Sequence, residues 1–191
     1  MKLIVGLGNP GEEYEKTRHN VGFLAVEALR LRIEDFSNWK LDKKLESEVS
    51  RGHIASCCED VILAKPQTFM NNSGGAVKLL ITNYTLLITD LLVVHDDLDL
   101  ELGTLRLSFG SGSAGQNGVE SIINTLDTKD FWRLRIGIGP KLGEADKFVL
   151  KRFPRTQTAT VKKSIENAVA AIQLMFQKGP SLAQTEINKS E

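Results

Sequence analysis

Cysteine is almost missing from this chain: its 191 residues hold only Cys57 and Cys58, adjacent to each other. Two neighbouring cysteines with no further partner exclude a disulfide scaffold and make a reducing cytoplasm the simplest expected setting. Charge of one sign is missing too. With 24 Lys+Arg against 24 Asp+Glu the formal net charge is zero, which argues against a general nucleic-acid coat protein and leaves room only for a local basic patch. No apolar run approaches the roughly 18–20 residues of a membrane-spanning helix, so no membrane role is expected. The start, Met1-Lys2-Leu3-Ile4-Val5-Gly6, offers too short an apolar stretch for a signal peptide and no small-residue cleavage site. A Gly-x-Ser-x-Gly elbow is also absent, which argues against a serine esterase of that type.

Hydrophobic residues at 41% and charged residues at 25% suit one globular domain with a sizeable core. Short apolar runs at residues 2–7, 61–64 and 91–94 read as buried strands. Leu105 and Leu107, then Leu134, Ile136 and Ile138, alternate with polar or small residues as half-buried strands do. Between them, helical spacing appears from Val21 with Asn20 as its cap, through Ala76, Val77, Leu80 and Ile81, through Val119, Ile122, Ile123 and Leu126, and from Val161 to Phe176. Residues 34–50 are charged and weakly periodic, and are expected as loop with some strand. The expected fold is α/β: a single domain with a twisted, mixed, largely parallel β-sheet flanked by helices. It spans residues 1–180, with 181–191 as a polar, loosely ordered C-terminal tail.

Gly6-Leu7-Gly8-Asn9-Pro10-Gly11 matches the dinucleotide fingerprint G-x-G-x-x-G, but in the wrong context. That motif needs a helix opening inside the loop, with its N–H groups on a pyrophosphate. Here Pro10 removes an N–H, Glu12 and Glu13 add negative charge, and the helical pattern starts only at Val21. A nucleotide-dependent oxidoreductase is therefore not expected.

In an α/β sheet, function gathers beyond the C-terminal strand ends. Those ends carry Asn9, Tyr14, Thr17, Arg18, His19 and Asn20, then residues 65–72, then His95-Asp96-Asp97-Leu98-Asp99, and Gln116 and Asn117 from a glycine-rich loop. A His, an Asp and several Asn on one rim make a hydrolytic site without a covalent nucleophile: the imidazole deprotonates water, the carboxylate holds its tautomer, and amide N–H groups receive an oxyanion. The same residue types have plainer uses. His19 suits a turn or cap, the Asn residues suit turns, and residues 95–99 suit a magnesium site or a solvated turn. Cys57 and Cys58 read as small core residues, Met70 as packing, and His53 as a histidine with no identifiable partner.

Several blocks in order decide between these uses. Gly6-Leu7-Gly8-Asn9-Pro10-Gly11, Tyr14 and Thr17-Arg18-His19-Asn20-x-Gly22 resemble the N-terminal signature of bacterial peptidyl-tRNA hydrolase. Lys65-Pro66-x-Thr68-Phe69-Met70-Asn71-x-Ser73-Gly74, Asp96-Asp97-Leu98-Asp99-Leu100, Asn117-Gly118 and residues 133–139 follow in that family's order, so that the resemblance runs from about residue 3 to 178. It implies an enzyme that cleaves the ester between a peptide and the 3′-terminal ribose of tRNA, recycling tRNA from peptides dropped by the ribosome. His19 would be the general base, Asp96 would orient and stabilise it, and Asn9 would help tell N-blocked from free aminoacyl groups. Tyr14, Phe69, Asn71 and Asn117 would hold the peptide and the tRNA 3′ end. The resemblance implies no metal, no cofactor, peptidyl-tRNA as partner through its acceptor end and 3′ terminus, a cytoplasmic location and a monomer.

Residues 131–155 hold an excess of five positive charges, and Arg133 and Arg135 share one side of their strand, so tRNA phosphates are expected there, with Arg135 foremost. Two departures stand out: Gln116 replaces the His of many members' Gly-His-Asn-Gly loop, and Ser108 stands where some carry a Lys near the tRNA. The alternative reading is a non-catalytic RNA-binding relative of the same fold, which would have no need of a base held by a carboxylate.

Overall fold

Period-2 apolar segments build the sheet, and 3.6-period stripes build the layers on it. The computed structural model describes residues 1–33, 35–54, 58–140 and 143–189. Its strands are β1 (Lys2–Gly6), β2 (Lys40–Asp42), β3 (Ser47–Ile54), β4 (Glu59–Pro66), β5 (Leu91–Glu101), β6 (Leu105–Phe109) and β7 (Trp132–Gly139). The helices are α1 (Val21–Arg32), α2 (Ser73–Tyr84), α3 (Asn117–Leu126), α4 (Ala145–Val149), α5 (Thr158–Lys178) and α6 (Pro180–Lys189). All seven strands join one mixed sheet, ordered β2-β3-β4-β1-β5-β7-β6. The central four, β4-β1-β5-β7, run parallel, and the outer pairings are antiparallel. This is the single α/β domain that the apolar pattern implied.

Alternation on the central strands feeds two cores. Leu3, Val5, Ile62, Leu91 and Val93 pack with Val77 and Leu80 of α2 and Val119 and Ile122 of α3. Ile4, Leu63, Leu92 and Val94 face the other way, toward Val26 and Leu29 of α1 and Val169 and Ile172 of α5. The glycines of the false fingerprint serve this packing. A Cβ on Gly6 would lie 2.4 Å from the Gly22 carbonyl oxygen, and one on Gly22 would lie 2.3 Å from that of Val94. Only glycine lets the first turn of α1 come this close to β1 and β5, and that approach fixes where the residues just before α1 stand.

Two expectations change, at β5 and at the C-terminus, and the loop with some strand expected over residues 34–50 is filled in. His95, Asp96 and Asp97 do not follow the third strand but lie within it, buried, because β5 runs on to Glu101. Adjacent strand residues point to opposite faces. Asp96 bonds His19 and Asp97 bonds Arg135, so the two carboxylates do not converge as a magnesium site requires. Residues 34–50 contain β2 and the start of β3. The latter pairs with β4 along its whole length and buries Ser47 and Ser50 beside Val49 and Ile54. From Ser181 to Lys189 the chain is not loosely ordered, since α6 lies over the edge strand β6. Asn188 Nδ2 donates to the Leu107 carbonyl at 3.0 Å and its Oδ1 accepts from the Leu107 N–H at 2.9 Å, which satisfies an edge left open by the sheet.

Smaller differences concern single residues. Cys58 is exposed rather than core, while Cys57 lies outside the described residues. His53 has a partner after all, Asp60, at 2.9 Å on the surface. Among the described residues no helix is long and apolar enough to cross a membrane.

Candidate active site

The turn before α1 carries His19 to the C-terminal end of the parallel strands. A single 3-10 turn, Arg18–Asn20, leads into the helix, and Arg18 anchors it. The Arg18 guanidinium donates to the carbonyls of Lys151 (3.2 Å) and Arg152 (2.8 Å) and to Gln157 Oε1 (3.3 Å). It also lies over the rings of Phe148 and Phe153, 4.4 and 5.0 Å from their centroids. Burial lowers the Arg18 pKa from its ordinary value, yet the two rings and three acceptors hold the cation in place.

His19 then meets β5. Its Nδ1 lies 2.8 Å from Asp96 Oδ2, and both residues are buried. With Asp96 ionised, Nδ1–H donates to the carboxylate and Nε2 is left as the basic nitrogen. The other Asp96 oxygen, Oδ1, accepts from Gln116 Nε2 at 3.1 Å. His19, Asp96, Asp97, Gln116, Asn117 and Asp146 line one cleft.

Asn9 is fixed on the far side of the same turn. Its backbone N–H donates to Asn20 Oδ1 and its carbonyl accepts from Asn20 Nδ2, both at 2.9 Å. Asn20 therefore spends its side chain on Asn9 and not on capping α1, where it makes no cap bond. Asn9 Oδ1 accepts from the Met70 N–H at 2.8 Å, which turns Nδ2 outward as the remaining donor. Asn9 lines a second, wider cleft of about 450 Å³ with Asn20, Glu27, Glu48 and Lys65. There Lys65 Nζ lies 2.8 Å from Glu48, 3.6 Å from Glu27 and 4.2 Å above the Trp39 ring. Burial pushes the Glu27 carboxyl up, but hydrogen bonds from Arg30 and Trp39 and the Lys65 charge outweigh it, leaving a lowered pKa.

The remaining expected residues fall into two groups. Tyr14 and Phe69 meet edge-to-face with centroids 6.4 Å apart, and Phe69 stays 58% exposed, a large apolar ring left open at the rim. Asn71, on the turn after β4, and Asn117, the first residue of α3, are also exposed. Arg135 differs from expectation in its surroundings: its Nε donates to the buried Asp97 Oδ2 at 2.6 Å, so it is not a free surface cation. Arg133, on the same side of β7, is fully buried. Its guanidinium donates to the Gly112 carbonyl and Ser111 Oγ, pinning the glycine-rich loop, and burial lowers its pKa to about 10. The basic face read from the alternation thus points inward at Arg133. Lys151, Arg152 and Arg155, around the segment that holds Arg18, are exposed.

Two residues gained roles that the sequence reading had not given them. Arg18 was visible only as part of a motif, and Gln116 only as a departure in the glycine-rich loop, with no signal for its bonds. Among the described residues no group of three or more His, Cys, Asp and Glu is arranged to hold a metal ion.

A histidine oriented by a buried carboxylate, at the C-terminal rim of a parallel sheet, places the chain among α/β proteins whose site suits general-base chemistry. Comparison with known proteins narrows this. The sequence profile of the peptidyl-tRNA hydrolase family matches residues 3–191. The chain is 42% identical to the peptidyl-tRNA hydrolase of Mycobacterium avium over 188 residues, covering 97% of this chain and 96% of that one. It is 42% identical to that of Rhodococcus erythropolis over 188 residues, covering 97% of each. The crystal structure of peptidyl-tRNA hydrolase from Acinetobacter baumannii superposes with a TM-score of 0.89 at 37% identity, over 98% of this chain and 94% of that one. The chain belongs to the peptidyl-tRNA hydrolase family.

Proposed function

We propose that this protein hydrolyses the ester linking a peptide to the 3′-terminal ribose of tRNA, with His19 as general base. The observation that carries the reading is the 2.8 Å bond between His19 Nδ1 and Asp96 Oδ2, which leaves Nε2 as the proton acceptor. Nε2 takes a proton from water as its oxygen attacks the ester carbonyl carbon. Asn9 Nδ2, the donor left over when Met70 N–H binds Oδ1, stabilises the oxyanion and favours a blocked over a free aminoacyl group. As the tetrahedral species collapses, the C–O bond to the ribose breaks and Nε2–H returns its proton to the leaving 3′ oxygen. An ester needs no stronger device: a positioned base contributes roughly 10²–10⁴-fold and an oxyanion donor on the order of 10²–10³-fold.

Tyr14 and the exposed Phe69 offer ring faces for the terminal adenine, and Asn71 and Asn117 offer amides for the peptide and the 3′ end. The acceptor-end phosphates fall to Lys151, Arg152 and Arg155, with Arg135 reached through its pair with Asp97. The reading carries a monomer working in the cytoplasm, with no metal or cofactor.

The test is release of N-acetyl-aminoacyl groups from charged tRNA by wild type and His19→Ala, with unblocked aminoacyl-tRNA as control. Cleavage of the blocked substrate alone, lost in a folded variant, is the expected result. A folded wild type that binds tRNA without cleaving it would instead make the chain an RNA-binding relative.

A further inference from the structure

We propose that Gln116 is a positioning residue for this hydrolysis, fixing the Asp96 carboxylate and fastening it to the first turn of α3. The proposal rests on the hydrolase reading above. Gln116 is only 7% exposed and uses both ends of its amide. Oε1 accepts from the Val119 N–H at 2.7 Å, capping α3. Nε2 donates to Asp96 Oδ1 at 3.1 Å and lies 3.2 Å from Met70 Sδ. The amide has one workable orientation, because the cap needs an oxygen and the carboxylate needs a donor.

Asp96 is then held at both oxygens, Oδ2 by His19 and Oδ1 by Gln116, so the carboxylate cannot turn without breaking two bonds. The imidazole it orients is fixed in consequence. Gln116 also reaches Met70, whose N–H sets Asn9, and so touches both halves of the site. Its own placement is firm. Arg133 pins the loop at Ser111 and Gly112, and the Gln116 N–H donates to the Ser113 carbonyl at 3.2 Å.

An amide does this work without titrating. The charged or titratable groups around the His19–Asp96 pair are His95 and Asp97 on β5, Arg18 beside His19, Arg133 and Arg135 on β7, and Asp146 on α4. From α3 the pair meets the uncharged Gln116 and Asn117, and the Glu120 side chain is exposed to solvent. A histidine at position 116 would add a proton-binding group against Asp96.

The experiment measures kcat and KM on N-acetyl-aminoacyl-tRNA from pH 5 to 8, with thermal unfolding, for wild type, Gln116→Ser, Gln116→Met and Gln116→His. Serine keeps the cap but cannot reach Asp96. Gln116→Ser should therefore unfold near the wild-type temperature yet lose about tenfold in kcat with KM little changed, the worth of one hydrogen bond to a charged group. Gln116→Met should lose both kcat and stability. Gln116→His should recover kcat at pH 8, where a ring N–H can replace the amide as donor to Asp96 Oδ1. Wild-type kcat in Gln116→Ser, or a kcat loss that follows Tm across the three variants, would overturn the proposal. An inactive wild type would overturn the hydrolase reading with it, whereas an active wild type and an indifferent Gln116→Ser would overturn this proposal alone.

Discussion

Two histidines bond to the same residue, Asp96, from opposite surroundings. His19 reaches the carboxylate from the turn before α1, and its ring lines a cleft. His95, one position before Asp96 on β5, places Nδ1 2.8 Å from the Asp96 backbone carbonyl, as a donor, and is wholly buried with Nε2 unpartnered. Burial drives the His95 pKa down to about 4, and the nearby positive charge of Arg133 adds to it, although the bond to Asp96 and its charge act the other way. A carboxylate partner and an open face suit a ring to the proposed role of base, whereas a carbonyl partner and no open face make a neutral structural group. Sequence proximity to Asp96 decides nothing, since the histidine that reaches its carboxylate is 77 positions away and the adjacent one reaches only its backbone carbonyl.

The comparison breaks if the wrong histidine carries the rate. His19→Ala should cost on the order of 10²–10⁴-fold in kcat with little change in folding, measured on blocked aminoacyl-tRNA. Asp96→Asn should cost a similar amount for a different reason. The introduced amide must turn its oxygen toward Gln116 Nε2, which presents NH₂ to His19 Nδ1 and puts the ring proton on Nε2. Full activity in either variant would return the site to a set of capping residues. Asn9→Ala, which removes the outward Nδ2, should follow with a loss on the order of 10²–10³-fold. That loss should be accompanied by less discrimination between blocked and free aminoacyl groups.

His95 should instead be felt in stability. Its folded pKa of about 4 lies below the ordinary 6.5, so as pH falls the unfolded chain binds the proton first. Folding free energy is therefore whole above pH 6.5 and is lost as pH falls toward 4, by about 3 kcal/mol at the lower end. Denaturant titrations from pH 7 to 4 should show that slope in wild type and a shallower one in His95→Asn. Equal slopes in the two proteins would remove His95 as its source.

How much of this could be read from the chain depended on which atoms carried the pattern. β1 and β5 were legible because Leu3-Ile4-Val5 and Leu91-Leu92-Val93-Val94 are apolar on both faces, as central parallel strands must be. β3 was not, because its inward positions include Ser47 and Ser50, the latter satisfied by a bond to the Ser37 carbonyl at 2.6 Å. α6 escaped notice because its apolar contact is thin, Ala183 being its only buried residue with Ile187 half-buried beside it, while Gln184 and Asn188 supply the bonds to the edge. At the candidate site, Asn9, His19 and Asp96 were singled out through family resemblance. Their bonds were not, since no spacing rule joins residues 19 and 96. Arg133 and Arg135 were rightly placed on one face, but alternation cannot tell an outward face from an inward one.

That last ambiguity supplies the finest comparison, between cations held inside the fold and cations open to solvent. Lys151 and Arg155 are exposed, and among the described residues neither side chain makes an ion pair, whereas Arg135 is committed to Asp97. Each phosphate contact contributes roughly one to the slope of log affinity against log salt. Lys151→Gln and Arg155→Gln should therefore each flatten that slope by somewhat under one and raise KM severalfold, with kcat unchanged because neither side chain lines the His19 cleft. Arg135→Gln should change the slope less, since binding a phosphate there already requires drawing the guanidinium from a buried carboxylate. It should also cost stability, by leaving Asp97 buried without its cation. Salt titrations of tRNA binding on the three variants decide the matter: a larger slope change at Arg135 than at Lys151 or Arg155 would mean that the Asp97 pair opens for the substrate and that the phosphates lie against β7.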